Sequence, residues 1–148
     1  MIALGCDHGG YELKLEIRKY LDEKGIEYKD YGCDSLDSVD YPVYAKKVAH
    51  AILDGECEKG ILICGTGIGV SIAANKVPGA YAALVNNVYQ AQRAQLSNNA
   101  NIITLGAQVT GIELAKCLVK EYLSVTFDPE SRSMPKVARI TEYEKEGK

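Results

Sequence analysis

The sequence has 148 residues, with 17 Lys and Arg against 20 Asp and Glu, and a net charge of −3 at pH 7. This balance leaves no basic footprint for nucleic acid. Hydrophobic residues make up 47% of the chain and charged residues 25%, which predicts a single globular domain over residues 1–148 with one full core.

The cysteines are odd in number and contain no C-x-x-C pair; they are Cys6, Cys33, Cys57, Cys64 and Cys117. This pattern argues against a disulfide framework and against structural zinc, and it favours a reducing, cytoplasmic location. The N-terminus reaches the polar Asp7 too soon for a signal peptide. The cysteine spacing gives no reason to expect a metal. No stretch approaches the roughly 20 apolar residues of a membrane span, so we expect no membrane partner.

Strand and helix patterns alternate along the chain. Short apolar runs predict strands at residues 1–6, 26–31, 61–63, 81–85 and 101–105. Apolar residues at helical spacing predict helices over residues 11–24, 42–54, 70–75, 87–96 and 110–123. Thr110 and Glu113 fit a capping box at the start of the last helix.

This alternation predicts an α/β fold, a Rossmann-like doubly wound parallel sheet of five strands with helices on both faces. Among such folds we expect the flavodoxin-like strand order 2-1-3-4-5. Ligands then bind at the carboxyl ends of strands 1 and 3, where the order reverses. The loops that follow these two strands, residues 7–10 and 65–69, therefore predict one shared crevice.

The central stretch, residues 60–76, reads G-I-L-I-C-G-T-G-I-G-V-S-I-A-A-N-K. A buried strand, glycines at positions 65, 67 and 69 and a helix start together form an anion site, because backbone N–H groups there point at negative charge. Cys64 stands where the strand meets the loop, in a field that would stabilise a thiolate. The spacing excludes the G-x-G-x-x-G and P-loop patterns. A tight turn beside a buried, inert cysteine remains the alternative.

Other polar residues near the predicted crevice allow two interpretations. His8 follows Asp7 at a strand end, which favours a functional histidine over a bystander in a loop. Asp40 precedes Tyr41 and Pro42, where its side chain suits a helix cap. Residues 97–99, Ser-Asn-Asn, resemble a polar turn at a helix end.

The C-terminal tail, residues 124–148, differs from the preceding units. Residues 136–145 predict a short helix whose apolar face is thin, with Val137, Ile140 and at its margin Tyr143, and this face is too narrow for a sixth crossover helix. We expect the tail to pack across the body or on a partner subunit. Arg132, Lys136 and Arg139 recur along it, and a solvated face is the alternative explanation.

Four motifs in order resemble one family. They are G-C-D-H-G-G at residues 5–10, D-Y-P-V-Y-A at 40–45, I-C-G-T-G-I-G-V-S-I-A-A-N-K-V-P-G at 63–79 and N-A-N-I-I-T-L-G at 99–106. Together they resemble the ribose-5-phosphate isomerase B family, related to the galactose-6-phosphate isomerase subunits, from residue 1 to about 140. The resemblance implies an aldose–ketose isomerase that uses an enediolate and needs neither metal nor cofactor.

The resemblance also implies roles for individual positions. Cys64 matches the catalytic base, Thr66 and the loop amides hold the oxyanion, and Asp40 matches an acid of some relatives. Asp7 and Ser97 complete the expected catalytic set. The expected substrate-binding residues are Asp7, His8, Gly65, Thr66, Gly67, Ile68, Gly69, Asn98, Gln108, Arg132 and Lys136. Asn98 and Arg132 are expected to come from a partner subunit, since family sites are shared across a homodimer, with a dimer of dimers left open.

The residue at position 97 departs from the family pattern. Many relatives carry histidine where Ser97 stands, and that histidine is assigned to opening of the sugar ring. Asp7, Ser97 acting through water, and spontaneous opening all remain possible here. The smaller side chain leaves room for a six-carbon sugar, so we expect measurable activity on hexose phosphates.

Two phosphate-binding positions depart as well. Many relatives carry arginine where Gln108 and Lys136 stand, which leaves Arg132 as the retained two-pronged donor. We therefore expect weaker phosphate binding and weak activity on free sugars, unless His8 or Arg139 compensates. A non-catalytic phosphate- or nucleotide-binding module on the same scaffold is the alternative function, since the fold alone does not decide function.

Overall fold

A computed structural model describes residues 1–147. Strands and helices alternate as β1 Ile2–Cys6, α1 Tyr11–Glu23, β2 Tyr28–Asp30, α2 Tyr41–Leu53, β3 Lys59–Cys64, α3 Ile68–Asn75, β4 Ala82–Leu84, α4 Val88–Leu96, β5 Ile102–Gly106, α5 Ile112–Leu123 and α6 Met134–Glu146. All strand pairs are parallel, which confirms the predicted α/β sheet. Over the described part of the chain, no helix combines the length and the apolar character needed to cross a bilayer.

The strand order is β2-β1-β3-β5-β4, so the predicted order of the last two strands is wrong. Every residue of β5 is buried, whereas the three residues of β4 are only half-buried. A longer strand that is buried along its whole length gains most from a neighbour on each side, while a short, half-buried strand suits an edge. The observed order places the carboxyl end of β5 directly beside that of β3, with Gly106 paired to Cys64.

The core lies in two layers, one on each face of the sheet. On one face, α1, α4 and α5 pack on Leu4, Ile63 and Leu105. On the other face, α2 and α3 pack on Ala3, Leu62 and Ile102 through small residues, chiefly alanines. These small side chains bring α2 and α3 close to the sheet, so the loop that precedes α3 is held near the strand ends.

Two predicted helix caps are wrong. α5 begins after Gly111 and receives no side-chain cap, because the N–H of Thr110 bonds the carbonyl of Gly106 over 2.8 Å and draws Thr110 into the interior. Asp40 occupies the cap position of α2, but its side chain makes no capping bond and is exposed. Its carboxylate is therefore available to other groups.

The tail helix α6 lies against its own chain. Val137 is buried, and Glu144 accepts hydrogen bonds from the Gly79 N–H and the Tyr81 hydroxyl, each over 3.0 Å. Ile140 and Tyr143 remain exposed. Packing of this exposed face on a partner subunit stays a prediction.

Candidate active site

Cys64 ends β3 and is 5% exposed. The backbone N–H of Gly67 donates to its Sγ over 3.1 Å, and an N–H donor stabilises negative charge on sulfur. Gly67 has φ 78°, and a Cβ there would lie 2.6 Å from Leu84 Cδ1, so only glycine fits. The hydroxyl of Thr104 on β5 donates to the Gly67 carbonyl over 2.8 Å. Hydrogen bonds at both the N–H and the carbonyl of Gly67 thus hold the loop in place around the sulfur.

The rest of the loop leads into α3, which begins at Ile68. Thr66 is exposed, and its Oγ1 accepts from the Ile68 N–H over 3.2 Å. The side chain of Ile68 points to solvent, with 52% exposed, so any contact of Ile68 with a ligand in this crevice falls to its backbone. A Cβ on Gly69 would lie 2.6 Å from the Tyr41 ring. This packing closes one side of the loop against α2.

Asp7 and His8 follow β1 and lie beside the same loop. Asp7 is buried, and its Oδ1 accepts from the Gly10 N–H over 3.2 Å. A Cβ on Gly9 would lie 3.2 Å from the Gly65 nitrogen and 3.3 Å from Asp7 Oδ1, so the turn after β1 touches the loop after β3. The Nδ1 of His8 accepts from the Val39 N–H over 3.1 Å. A neutral His8 therefore carries its proton on Nε2 and can donate from there.

Gln108 lies beside the loop after β3, because β5 pairs directly with β3. Its N–H bonds the Gly65 carbonyl over 2.9 Å, and the Ala107 N–H bonds the Cys64 carbonyl over 2.8 Å. A cavity of about 720 Å³ lies beside this point, lined by the exposed Gln108 side chain, Gly9, α1 and the start of α5, and Cys64 is not part of its lining. The loops after β1, β3 and β5 thus meet at the carboxyl edge of the sheet, where the ligand crevice is predicted.

Asp40 lies at the rim of this crevice. Its neighbour Val39 bonds His8, and its other neighbour Tyr41 packs on Gly69. The carboxylate is exposed between these two contacts. This position suits a group that reaches a bound ligand from the edge.

The other predicted site residues form a second group. Ser97, Asn98, Arg132 and Lys136 line a separate pocket of about 420 Å³. Since α4 runs back from the carboxyl edge of the sheet, Ser97 at its end lies near the amino end of β5. The five residues of β5 span about 16 Å, so one chain does not bring this group to Cys64.

Three residues with a place in these sites escaped the sequence analysis. Thr104 is the single polar residue of β5, and that break in an apolar run was its signal. Tyr41 packs on the glycine loop, and no local sequence pattern predicts a contact between these distant segments. Arg93 lines the second pocket, and its spacing of four residues from Ser97 on one helix was the available clue.

Known proteins share this architecture. A family model described as Ribose/Galactose Isomerase matches residues 2–140. Ribose-5-phosphate isomerase B of Escherichia coli K12 is 45% identical over 143 residues, covering 97% of this chain and 95% of its own. A D-erythrulose-4-phosphate isomerase of Pectobacterium atrosepticum is 47% identical over 148 residues, covering 99% and 97%. The structure of Clostridium thermocellum ribose-5-phosphate isomerase B has a TM-score of 0.96 at 47% identity and 99% coverage of both chains. The chain therefore belongs to the ribose/galactose isomerase family, and it is an isomerase.

Proposed function

We propose that the protein interconverts ribose 5-phosphate and ribulose 5-phosphate through an enediolate, with Cys64 as the base. The observation that carries this proposal is the Gly67 N–H donating to the Cys64 sulfur at the mouth of a glycine loop. A buried sulfur with a fixed donor and nearby backbone amides suits proton abstraction beside a carbonyl. Relatives named ribose-5-phosphate isomerase B support the choice of sugar.

The Cys64 thiolate takes the proton from C2 of the open-chain aldose, so the C2–H bond breaks and an S–H bond forms. The charge moves to the C1 oxygen, where the amides of the 65–69 loop and the Thr66 hydroxyl stabilise it. The thiol then returns the proton to C1, and a proton passes from O2 to O1. The products are the ketose and a regenerated thiolate.

Asp7 and His8 position the sugar in this scheme. Asp7 accepts from sugar hydroxyls, and the Nε2–H of His8 donates to a sugar oxygen. Asp40, exposed at the rim, supplies an acid. For ring opening, the alternatives are Asp7, Ser97 acting through water, and spontaneous opening.

We propose that each complete site uses two copies of the chain. Asn98, Arg132 and Lys136 lie at the opposite edge of the sheet from Cys64, which supports a homodimer in which one copy supplies the base and the other the anion-binding group. In one copy, the five residues of β5 separate the two groups by about 16 Å, and a packed strand cannot bend to bring them together. The exposed Ile140 and Tyr143 of the tail helix support the same arrangement.

A coupled assay of ketose formation tests the function. Ribose 5-phosphate is compared with a tetrose phosphate, because one relative is named for D-erythrulose 4-phosphate, and with a hexose phosphate, because Ser97 leaves room. We expect the highest kcat/KM for ribose 5-phosphate and measurable turnover of the hexose phosphate. No ketose from any of the three would favour the non-catalytic binding module, in which Cys64 only packs.

A further inference from the structure

Arg93 occupies the pocket at the amino edge of the sheet. Its Nε donates to the Ser97 Oγ over 2.6 Å, and the residue is half-buried. This bond uses the Nε–H and leaves the two terminal nitrogens as a planar pair of donors. Arg93 shares the lining of the pocket, about 420 Å³, with Arg132 and Lys136.

The charge in this pocket is unbalanced. Arg93, Arg132 and Lys136 are positive, and none of the residues that line the pocket with them is acidic. Over residues 1–147, no salt bridge joins any of these three side chains to a carboxylate. Arg139, by contrast, pairs with Glu142 over 3.3 Å. Three cations without a carboxylate make a pocket that favours an anion.

We propose that Arg93 is a further anion-binding residue of this enzyme and holds the substrate phosphate together with Arg132. The identity of the anion rests on the proposed function; the binding of an anion does not. Arginine meets phosphate with paired donors, which neither Lys136 nor Gln108 offers. Arg93 thus supplies an arginine donor in place of those missing at positions 108 and 136. With Arg93 present, phosphate binding is stronger than Gln108 and Lys136 alone would predict.

Titration calorimetry with inorganic phosphate tests the inference directly, in a buffer free of other oxyanions. Arg93→Met is expected to raise the Kd for phosphate about tenfold or more, as the loss of a charged hydrogen bond predicts. Arg93→Lys keeps the positive charge but not the paired N–H donors, and its loss of phosphate affinity is expected to be smaller. Lys120→Met is the matched control, because it removes the same charge from an exposed helix position outside the pocket. We expect its Kd within about twofold of the wild type.

Steady-state kinetics provide the second readout. Arg93→Met is expected to raise KM for ribose 5-phosphate about as much as the Kd for phosphate, with kcat within about threefold of the wild type, because the contact is made before and during reaction. Thermal unfolding without phosphate verifies that the variants fold. If Arg93→Met does not fold, Arg93→Gln, which can still donate to Ser97, is judged by the same criteria.

The outcomes separate the two claims. Unchanged phosphate affinity in Arg93→Met, or an equal loss in Lys120→Met, would overturn the inference. If wild-type protein forms no ketose from any sugar phosphate but binds phosphate through Arg93, the proposed function fails and the anion site stands.

Discussion

The backbone N–H of Gly67 points at the Sγ of Cys64 over 3.1 Å, so Cys64 and the loop after it form one unit. The left-handed conformation of Gly67 aims this N–H, and the Thr104 hydroxyl holds the Gly67 carbonyl from β5. A thiolate formed here has its stabilising donor in place before substrate arrives, which is the preorganisation that lowers a reaction barrier.

Replacing Cys64 with alanine is expected to lower kcat by roughly 10²–10⁴-fold or more, the contribution of a catalytic base. Phosphate affinity is expected to stay close to the wild-type value, because in the proposed reaction Cys64 acts on C1 and C2 of the sugar and not on the phosphate. Cys117→Ser is the control, since Cys117 is exposed and outside both pockets. Steady-state assays decide: a Cys64→Ala variant that keeps more than about a third of the wild-type kcat would mean that Cys64 only packs.

Shared sites predict complementation between two inactive variants. Cys64→Ala and Arg132→Ala are mixed under conditions that exchange subunits, and mixed dimers are expected to contain one site with both residues intact. Activity of the mixture is compared with that of each variant alone after the same treatment. Proven exchange without any recovery would contradict the two-chain site.

Two substitutions separate the roles of the two His8 nitrogens. His8→Asn keeps an acceptor near Nδ1 for the Val39 N–H but loses the Nε2–H donor, whereas His8→Gln does the reverse. Loss of one hydrogen bond to substrate predicts a fall in kcat/KM of up to about tenfold for His8→Asn, with unchanged thermal stability. If His8→Asn instead keeps the wild-type kcat/KM and His8→Gln loses it, the imidazole only anchors the loop.

The buried Lys14 predicts a large stability effect. Lys14 is fully buried, and its Nζ donates to Asp30 Oδ1 over 2.7 Å, while the half-exposed Arg18 pairs with the other carboxylate oxygen over 3.2 Å. Lys14→Met is expected to lower the free energy of unfolding by about 3 kcal/mol, because Asp30 loses its buried partner and keeps only the half-exposed Arg18, and the buried Cys33 carbonyl loses its donor. Arg18→Met is expected to cost less than about 1 kcal/mol. Urea unfolding measures both.

A double variant checks the origin of that effect. Lys14→Met with Asp30→Asn removes both charges, so its loss is expected to be smaller than the sum of the single losses. Additive losses would show that the two side chains stabilise the fold independently.

Isomerase activity is expected to survive EDTA. Catalytic metal sites use about three protein ligands, and over residues 1–147 no group of three or more His, Cys, Asp and Glu is arranged to hold a metal ion. Initial rates before and after chelation measure this. A loss of turnover that a divalent ion restores would contradict the expectation.

Local patterns in the sequence were enough to predict the parallel sheet with helices on both faces and the meeting of the loops after β1 and β3. Apolar runs mark strands, and the glycines that follow Cys64 mark the loop between β3 and α3, because both signals depend only on neighbouring residues. Carboxyl ends of parallel strands meet at one edge, so the meeting of Asp7 with the 65–69 loop followed from the fold class.

Only the tertiary structure decided the rest. The place of β5 between β3 and β4 depends on which strand gains most from burial on both sides, and this is a comparison across the whole sheet. The Thr104 bond to Gly67 joins residues 37 apart, and the three cations share a pocket because α4, α6 and the segment before α6 line it together. Contacts of this kind arise from packing between distant segments, so no window of the sequence contains them.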